Sequence, residues 1–270
     1  MSLPRSSENS SIVRVTVLGS GTSMGVPSLG CHCRVCRSDD PHDNRTRPSM
    51  LVSRGGHHVV IDTTPDFRFQ ALRYGLDSLD AVVYTHGHAD HILGFDDIRP
   101  FNLRQKSAVP IYASEETLAI LRRTFAYVFD GKPVLSAIPE VIPHVIDGPF
   151  DLLGLPWRPI LAEHGDMPVL GFRVGGLAYL TDFSHVPEQS MPLLASVDDL
   201  VMDALRDEPH PMHQTVAQAL ELVSQLRPRR AWFTHIAHDL AHRETNERLL
   251  RLGFPHVQLA YDGLSFEVAA

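Results

Sequence analysis

Hydrophobic and polar positions alternate with period two from Ile12 to Leu18 (IVRVTVL), predicting an opening strand that runs into the loop Gly19-Ser20-Gly21-Thr22-Ser23. An irregular stretch rich in turn formers follows from Met24 to Pro48. Strand patterns return at Met50–Ser53 and His57–Asp62, with Gly55-Gly56 between them as a hairpin signal. Phe67–Tyr74 reads as a short helix, Asp80–Thr85 as a buried strand, Asp97–Arg104 as helical and Val109–Tyr112 as a strand. Ser114 opens a further helix with Glu115 and Glu116 in its first turn. Trp157–Ala162, Pro168–Val174, Leu177–Asp182 and Leu200–Asp203 read as strands, the second and third joined at Gly175-Gly176. Thr215-Val216-Ala217-Gln218 has the form of a capping box. Val216, Ala219, Leu220, Val223 and Leu226 then place apolar side chains on one helical face. Ala231–Thr234 reads as a strand, Glu244–Leu252 as a helix closed by Gly253, and Val257–Tyr261 and Leu264–Val268 as final strands. Polar residues 1–11 read as a flexible lead-in, and 12–270 as one α/β domain of layered sheets between helices.

Composition narrows the setting. Of 270 residues, 43% are hydrophobic and 21% charged, as in ordinary globular proteins. Lys and Arg number 24 against 32 Asp and Glu, and the net charge of −8 disfavours a nucleic-acid-gripping role while leaving room for a small phosphorylated substrate. No apolar run approaches the ~18 residues of a membrane helix, and Met1–Ser11 lacks an export-signal pattern. The three cysteines fall within six positions, which argues against a secreted disulfide framework. These features lead to the expectation of a soluble cytoplasmic protein. The unusual count is histidine, at 16.

The strongest motif is Thr85-His86-Gly87-His88-Ala89-Asp90-His91, placed on a turn directly after a predicted strand, with Gly87 to ease backbone bending. Three imidazoles and a carboxylate this close are good ligands for zinc, manganese or iron, and a pair of metals needs about six or seven such groups. With its H-x-H-x-D-H, the chain resembles the metallo-β-lactamase-fold hydrolases. Leu18-Gly19-Ser20-Gly21-Thr22, Ile61-Asp62-Thr63, His164, Thr181-Asp182 and Thr234-His235 extend the resemblance over nearly the whole sequence. It implies a four-layer αββα sandwich of two mixed sheets flanked by helices. It also implies His86, His88 and His164 around one metal, Asp90, His91 and His235 around a second, and Asp182 bridging them. Asp62 would be a supporting residue behind the ligands. His57 and His58 alternate across a strand and are expected to be structural or exposed.

Cys31-His32-Cys33-Arg34-Val35-Cys36 supplies three thiolates at a spacing that fills three corners of a tetrahedron. His238 is the preferred fourth ligand, with His32 and His42 as local alternatives. A closed Cys3His set has no open position, so it reads as a structural zinc tying the loop 24–48 to the loop that presents His235.

This combination resembles the cyclic phosphodiesterase branch, typified by phosphoribosyl 1,2-cyclic phosphate phosphodiesterase. Asp203-Ala204-Leu205-Arg206 and His210-Pro211-Met212-His213 look like that branch as well. By resemblance His213 would act on the leaving group, in preference to His210. Arg99 and Arg68 are ambiguous between phosphate contacts and salt bridges. The expected activity is therefore dinuclear metal-dependent hydrolysis of a small cyclic phosphate diester, with Asp90 and His213 in the catalytic centre. The expected cofactors are two divalent metals (Mn or Zn, with Fe a further option) and one structural Zn. The alternatives are a tRNA-processing-type nuclease and a non-hydrolytic protein like the pyrroloquinoline quinone biosynthesis protein B. A homodimer is common in the resembling branch.

Overall fold

The computed structural model describes residues 12–132 and 135–270; the expectation for residues 1–11 lies outside them. Among the described residues, fourteen strands form two sheets. Strands β1 (Ile12–Gly19), β2 (Ser49–Arg54), β3 (His57–Ile61), β4 (Ala81–Val83), β5 (Val109–Ala113) and β6 (Val141–Val145) build the first. Strands β7 (Phe150–Leu152), β8 (Leu155–His164), β9 (Met167–Val174), β10 (Leu177–Leu180), β11 (Asp199–Asp203), β12 (Arg230–Thr234) and β13 (Val257–Leu259) build the second. The last strand, β14 (Ser265–Ala269), returns to the first sheet beside β1. Each sheet is mixed. β3 to β6 run parallel to one another, as do β10 to β13, and the other pairings are antiparallel.

Period-two patterning explains how the sheets pack. On the inner faces, Val13, Val15, Met50, Val52, Val59 and Val83 of the first sheet share one core with Trp157, Phe172, Tyr179 and Val201 of the second. The alternate residues face outward and are covered by helices. On the first sheet these are α1 (Phe67–Arg73), α2 (Ala89–Ile92), α3 (Arg99–Gln105), α4 (Glu115–Thr124) and α5 (Ala126–Phe129). On the second they are α6 (Met191–Leu194), α7 (Val216–Leu226) and α8 (His242–Arg251). The result is the expected αββα sandwich, with two mixed sheets flanked by helices.

Several features depart from the sequence expectation, which also did not include the short helices α2, α5 and α6. β6 carries no clear alternation and is a half-exposed edge strand containing Pro143, and β7 is only three residues long, so periodicity does not reveal them. The predicted strand 177–182 ends at Leu180, because Asp182 turns into the left-handed region at φ 53°. Gly87 does not ease a bend, since it is absent from the left-handed positions. Its missing side chain makes room for Ile120 of α4, whose Cδ1 would clash with a Cβ placed there.

The Thr215 capping box forms in full, its hydroxyl accepting from the Gln218 amide while the Gln218 side chain accepts from the Thr215 amide. Thr215→Ala should destabilise the protein by about 0.5–2 kcal/mol. The expected signature in urea is a lower midpoint with an unchanged slope.

Candidate active site and metal centres

The clustered side chains sit at the carboxyl ends of strands. Asp62 follows β3, His86 and His88 follow β4, His164 ends β8, Asp182 follows β10, Asp203 ends β11 and His235 follows β12. Both sheets deliver these ends to one rim, the usual place for a site in parallel α/β architecture. Asp90 and His91 lie on the one-turn α2 that starts inside the histidine motif. Three of the residues, Asp62 (φ 64°), Asp182 (φ 53°) and His235 (φ 58°), hold left-handed backbone. That conformation costs a non-glycine residue about 1–2 kcal/mol, and its recurrence here marks a rim shaped for side-chain placement.

Two donor groups form. His86, His88 and His164 bring one nitrogen each within 4.8 Å of one another, and Asp90, His91, Asp182 and His235 do the same with nitrogens and oxygens. In the second group His91 Nε2 lies 3.3 Å from Asp90 Oδ2 and 3.3 Å from Asp182 Oδ1, and His235 Nε2 lies 3.1 Å from Asp182 Oδ2. Asp182 Oδ2 also lies 4.0 Å from His86 Nε2, so this carboxylate faces both groups.

Outer partners set the tautomers. His91 Nδ1 donates to Asp62 Oδ2 at 2.7 Å and His164 Nδ1 donates to the Met212 carbonyl at 2.7 Å, which makes Nε2 the nitrogen that each ring turns inward. Asp62 also accepts from the Thr85 amide and hydroxyl. The Thr85 hydroxyl in turn lies 3.0 Å from His86 Nδ1. Among the described residues, His86 Nε2 is buried with no hydrogen-bond partner, and Asp90 Oδ2, His91 Nε2 and His235 Nε2 are buried facing one another at ion-pair distances without hydrogen-bond geometry. Buried polar atoms without hydrogen bonds cost about 1–3 kcal/mol each. Four of them converging from imidazoles and carboxylates fit a pair of divalent cations, which such donors bind.

Electrostatics point the same way. Burial disfavours a charged His91, yet Asp182, Asp90 and Asp62 outweigh it and push its pKa well above the usual value. His235 is likewise raised to about 10, its burial overcome chiefly by Asp182. Burial would raise Asp90, but His91 and His235 hold it far below the usual carboxylate range. Without metal, protons occupy the place of the cation.

The cysteine loop forms a third group. Cys31, Cys33, Cys36 and His238 place their donor atoms within 4.8 Å of one another, and the three cysteines are free of disulfides. His238 Nδ1 is 3.3 Å from both Cys31 Sγ and Cys33 Sγ. A tetrahedral zinc with Zn–S near 2.3 Å has ligand–ligand edges of about 3.5–3.8 Å, so the quartet fits that ion with little adjustment. Cys33 is lowered to about 6 by the Cys36 amide and by His238, whereas burial raises Cys36 to about 11. His32 is exposed, and His42 instead stacks on His242 at 4.6 Å, so neither alternative joins the quartet.

His213 reaches the metal-facing rim. One of its nitrogens lies within 4.8 Å of donor atoms of His164 and Asp182, and Nδ1 donates to Asp203 Oδ2 at 2.6 Å. Asp203 is fully buried and also within reach of His235. No role was expected for it from the sequence; the visible signal was an acid ending an apolar strand beside the His210–His213 segment. His210 accepts from the Met212 amide. Arg99 pairs with Asp96 at 3.3 Å, and Arg68 lines a separate cleft of about 320 Å³ between α1 and α3. His57 pairs with Asp80 and His58 with Ser53.

Residues 57–236, two-thirds of the chain, match the beta-lactamase superfamily domain. The chain belongs to the beta-lactamase superfamily. A crystal structure of a new diphosphatase from the PhnP family is similar at 46% identity and TM-score 0.89, over 96% of this chain and 98% of that one. An octanoyltransferase of Porphyromonas gingivalis is 41% identical over 93% of this chain but only 51% of its own length. The chain thus spans about half of that relative. Zn(2+)-bound PqqB from Methylobacterium extorquens shares the fold at 20% identity and TM-score 0.73, over 94% of this chain and 100% of that one.

Two expectations follow. In the metal-free chain His91 and His235 keep their protons at neutral pH, so a metal must displace them. Affinity of the His/Asp group should therefore rise with pH, by as much as about tenfold per unit for each displaced proton. Chelator competition between about pH 6 and pH 8 measures this; affinity flat with pH would mean neutral imidazoles. Cys33→Ser should lower thermal stability much more than Asp90→Asn, since loss of a structural ligand forfeits folding energy coupled to metal binding. Comparable melting shifts in calorimetry would remove the structural zinc.

Proposed function

We propose that the protein is a metal-dependent phosphodiesterase acting on a small phosphate diester, with a cyclic phosphate such as a phosphoribosyl cyclic phosphate as the favoured class. The observation that carries this proposal is the hydrogen bond from half-buried His213 to fully buried Asp203, at the rim where the two His/Asp groups meet. In this proposal His86, His88 and His164 hold one divalent metal, Asp90, His91 and His235 the other, and Asp182 faces both. Metals held there supply Lewis acidity toward a phosphoryl oxygen and make water nucleophilic near neutral pH.

The chain's own groups do the rest. Asp203 accepts from His213 Nδ1, fixing the ring so that Nε2 faces the rim as the proton-donating nitrogen. His213 delivers that proton to the departing alkoxide. Asp62 and the Met212 carbonyl keep His91 and His164 in the ligating tautomer throughout.

The similarity to a PhnP-family diphosphatase, 46% identical over nearly the full length of both chains, supports phosphorus–oxygen cleavage in a small molecule. It also favours a second reading, in which the scissile bond is a diphosphate linkage. A net charge of −8 stands against a tRNA-processing nuclease, and the likeness to human short-form tRNase Z, at 19% identity, is one of fold. PqqB relatives keep a non-hydrolytic alternative in view, but the converging donors and the Asp203–His213 pair equip this chain for hydrolysis. The acyl-transfer name attaches to a protein of which half has no counterpart here.

A panel of cyclic phosphates, small diphosphates, aryl phosphodiesters, tRNA precursors and β-lactams, assayed with Mn and with Zn, tests the substrate class. Cyclic phosphates should turn over fastest, and exclusive turnover of tRNA or β-lactams would reject the proposal. His213→Ala should retain both metals while slowing diesters with alkoxide leaving groups by roughly 10²–10⁴. With a nitrophenolate leaving group the loss should be small, because that anion departs without a proton. Equal losses on both substrates would assign His213 to phosphate binding or structure.

A further inference from the structure

His235 and His238 belong to two different donor groups yet lie three residues apart on one turn, and a buried cation from the cysteine-bearing loop grips that turn. Arg45 is 2% exposed. Its Nη1 donates to the Ala237 carbonyl at 3.2 Å, and its Nη2 donates to the Leu240 carbonyl at 2.8 Å and to Asp43 Oδ1 at 2.9 Å. Its Nε donates to the His42 carbonyl at 3.2 Å. Ala237 and Leu240 flank His238 in sequence, so one planar fork sets the carbonyls on both sides of a cysteine-group ligand. Asp43 Oδ1 also accepts from the amide of His242, the first residue of α8, at 2.8 Å. Through its main chain Arg45 pairs with Val26 at 2.7 and 2.8 Å, near the start of the cysteine loop. On the other flank Ile236 donates to Ser20 O at 3.0 Å and accepts from the Thr22 amide at 3.1 Å, tying the residue after His235 to the first loop.

Burying a guanidinium is expensive unless its donors are paired, and an apolar side chain of similar volume is often at least as stabilising. What arginine adds is direction, because its rigid fork places several acceptors at once. We propose that Arg45 is a positioning residue that pre-forms the turn 235–240, so that His235 and His238 stand in ligating position before metal arrives. Arg45 belongs to neither donor group. The His86, His88 and His164 group hangs from other elements, and none of the Arg45 hydrogen bonds described above reaches it. Arg45 therefore serves the cysteine site and the His235-containing site, and leaves the three-histidine site alone. The proposal rests on the metal assignments above and is independent of the substrate.

Metal-stripped wild type, Arg45→Met and Arg45→Lys would be titrated with Co²⁺. Thiolate-to-cobalt charge-transfer absorption reads the cysteine site alone; ligand-field absorption with elemental analysis counts ions on the His/Asp groups. Arg45→Met should move half-saturation of the thiolate band upward by about 10–100-fold, the usual scale for partners behind a ligand. It should also hold one ion in place of two on the His/Asp groups. Arg45→Lys, which keeps a donor for one carbonyl, should fall between. Wild-type binding in the variants, or equal weakening of all three sites, would overturn the proposal. If Arg45→Met does not fold, Arg45→Lys decides by the same criterion: selective weakening supports it, and uniform or absent weakening overturns it. A wild type without a thiolate band would overturn the metal assignment itself, and the Arg45 proposal with it.

Discussion

Imidazole nitrogens and carboxylate oxygens from both sheets are packed 3.1–3.3 Å apart in a buried space, and that crowding is the constraint on which the rest of the molecule turns. Such groups cannot remain both charged and unpartnered in a low-dielectric interior. Either protons or cations must sit among them. Asp182 and its neighbouring carboxylates favour the protonated forms of His91 and His235, which is the charge a cation would replace.

Holding these groups together requires the sandwich. Strands from two sheets end on one rim, and each contributes one or two donors just past its last ladder hydrogen bond. The backbone accepts left-handed φ values at Asp62, Asp182 and His235 to turn those side chains inward. Together these cost about 3–6 kcal/mol, which the shared apolar core between the sheets has to offset. Asp62 shows how the cost is recovered locally. Its strained position lets one carboxylate bind the Thr85 amide, the Thr85 hydroxyl and His91 at once.

The cysteine quartet and Arg45 act on a different problem. The loop from Met24 to Pro48 contains little regular structure beyond a 3₁₀ turn at Pro41–Asp43, yet it must lie against the turn that carries His235. Thiolates bind it to His238, Arg45 binds it to Ala237 and Leu240, and Arg34 pairs with Glu244 of α8 at the surface. The surface pair is largely solvated and contributes little. The buried contacts are the ones that limit where the turn can go.

The sequence by itself determined most of the core and the identity of the chemical groups. Alternating apolar positions located the inner strands, the capping box located α7, and H-x-H-x-D-H with C-x-C-x2-C announced metal-type donors, because these signals are local and short in range. Residues that depend on distant partners were less legible. His164, Asp182 and His235 each end or follow an ordinary strand, and only the meeting of two sheets at one rim makes them neighbours. Asp203 stood in a segment that resembled the cyclic phosphodiesterase branch, but it carried no role of its own until the fold set it under His213. Arg45 looked like a loop cation, and only the packing of residues 236–242 against the cysteine loop buries it. β6 escaped notice because an edge strand need not alternate, and β7 because three residues are too few to show a period. Short-range patterning specifies what each segment can become, whereas donor convergence depends on contacts between segments up to some two hundred residues apart, which no local pattern encodes.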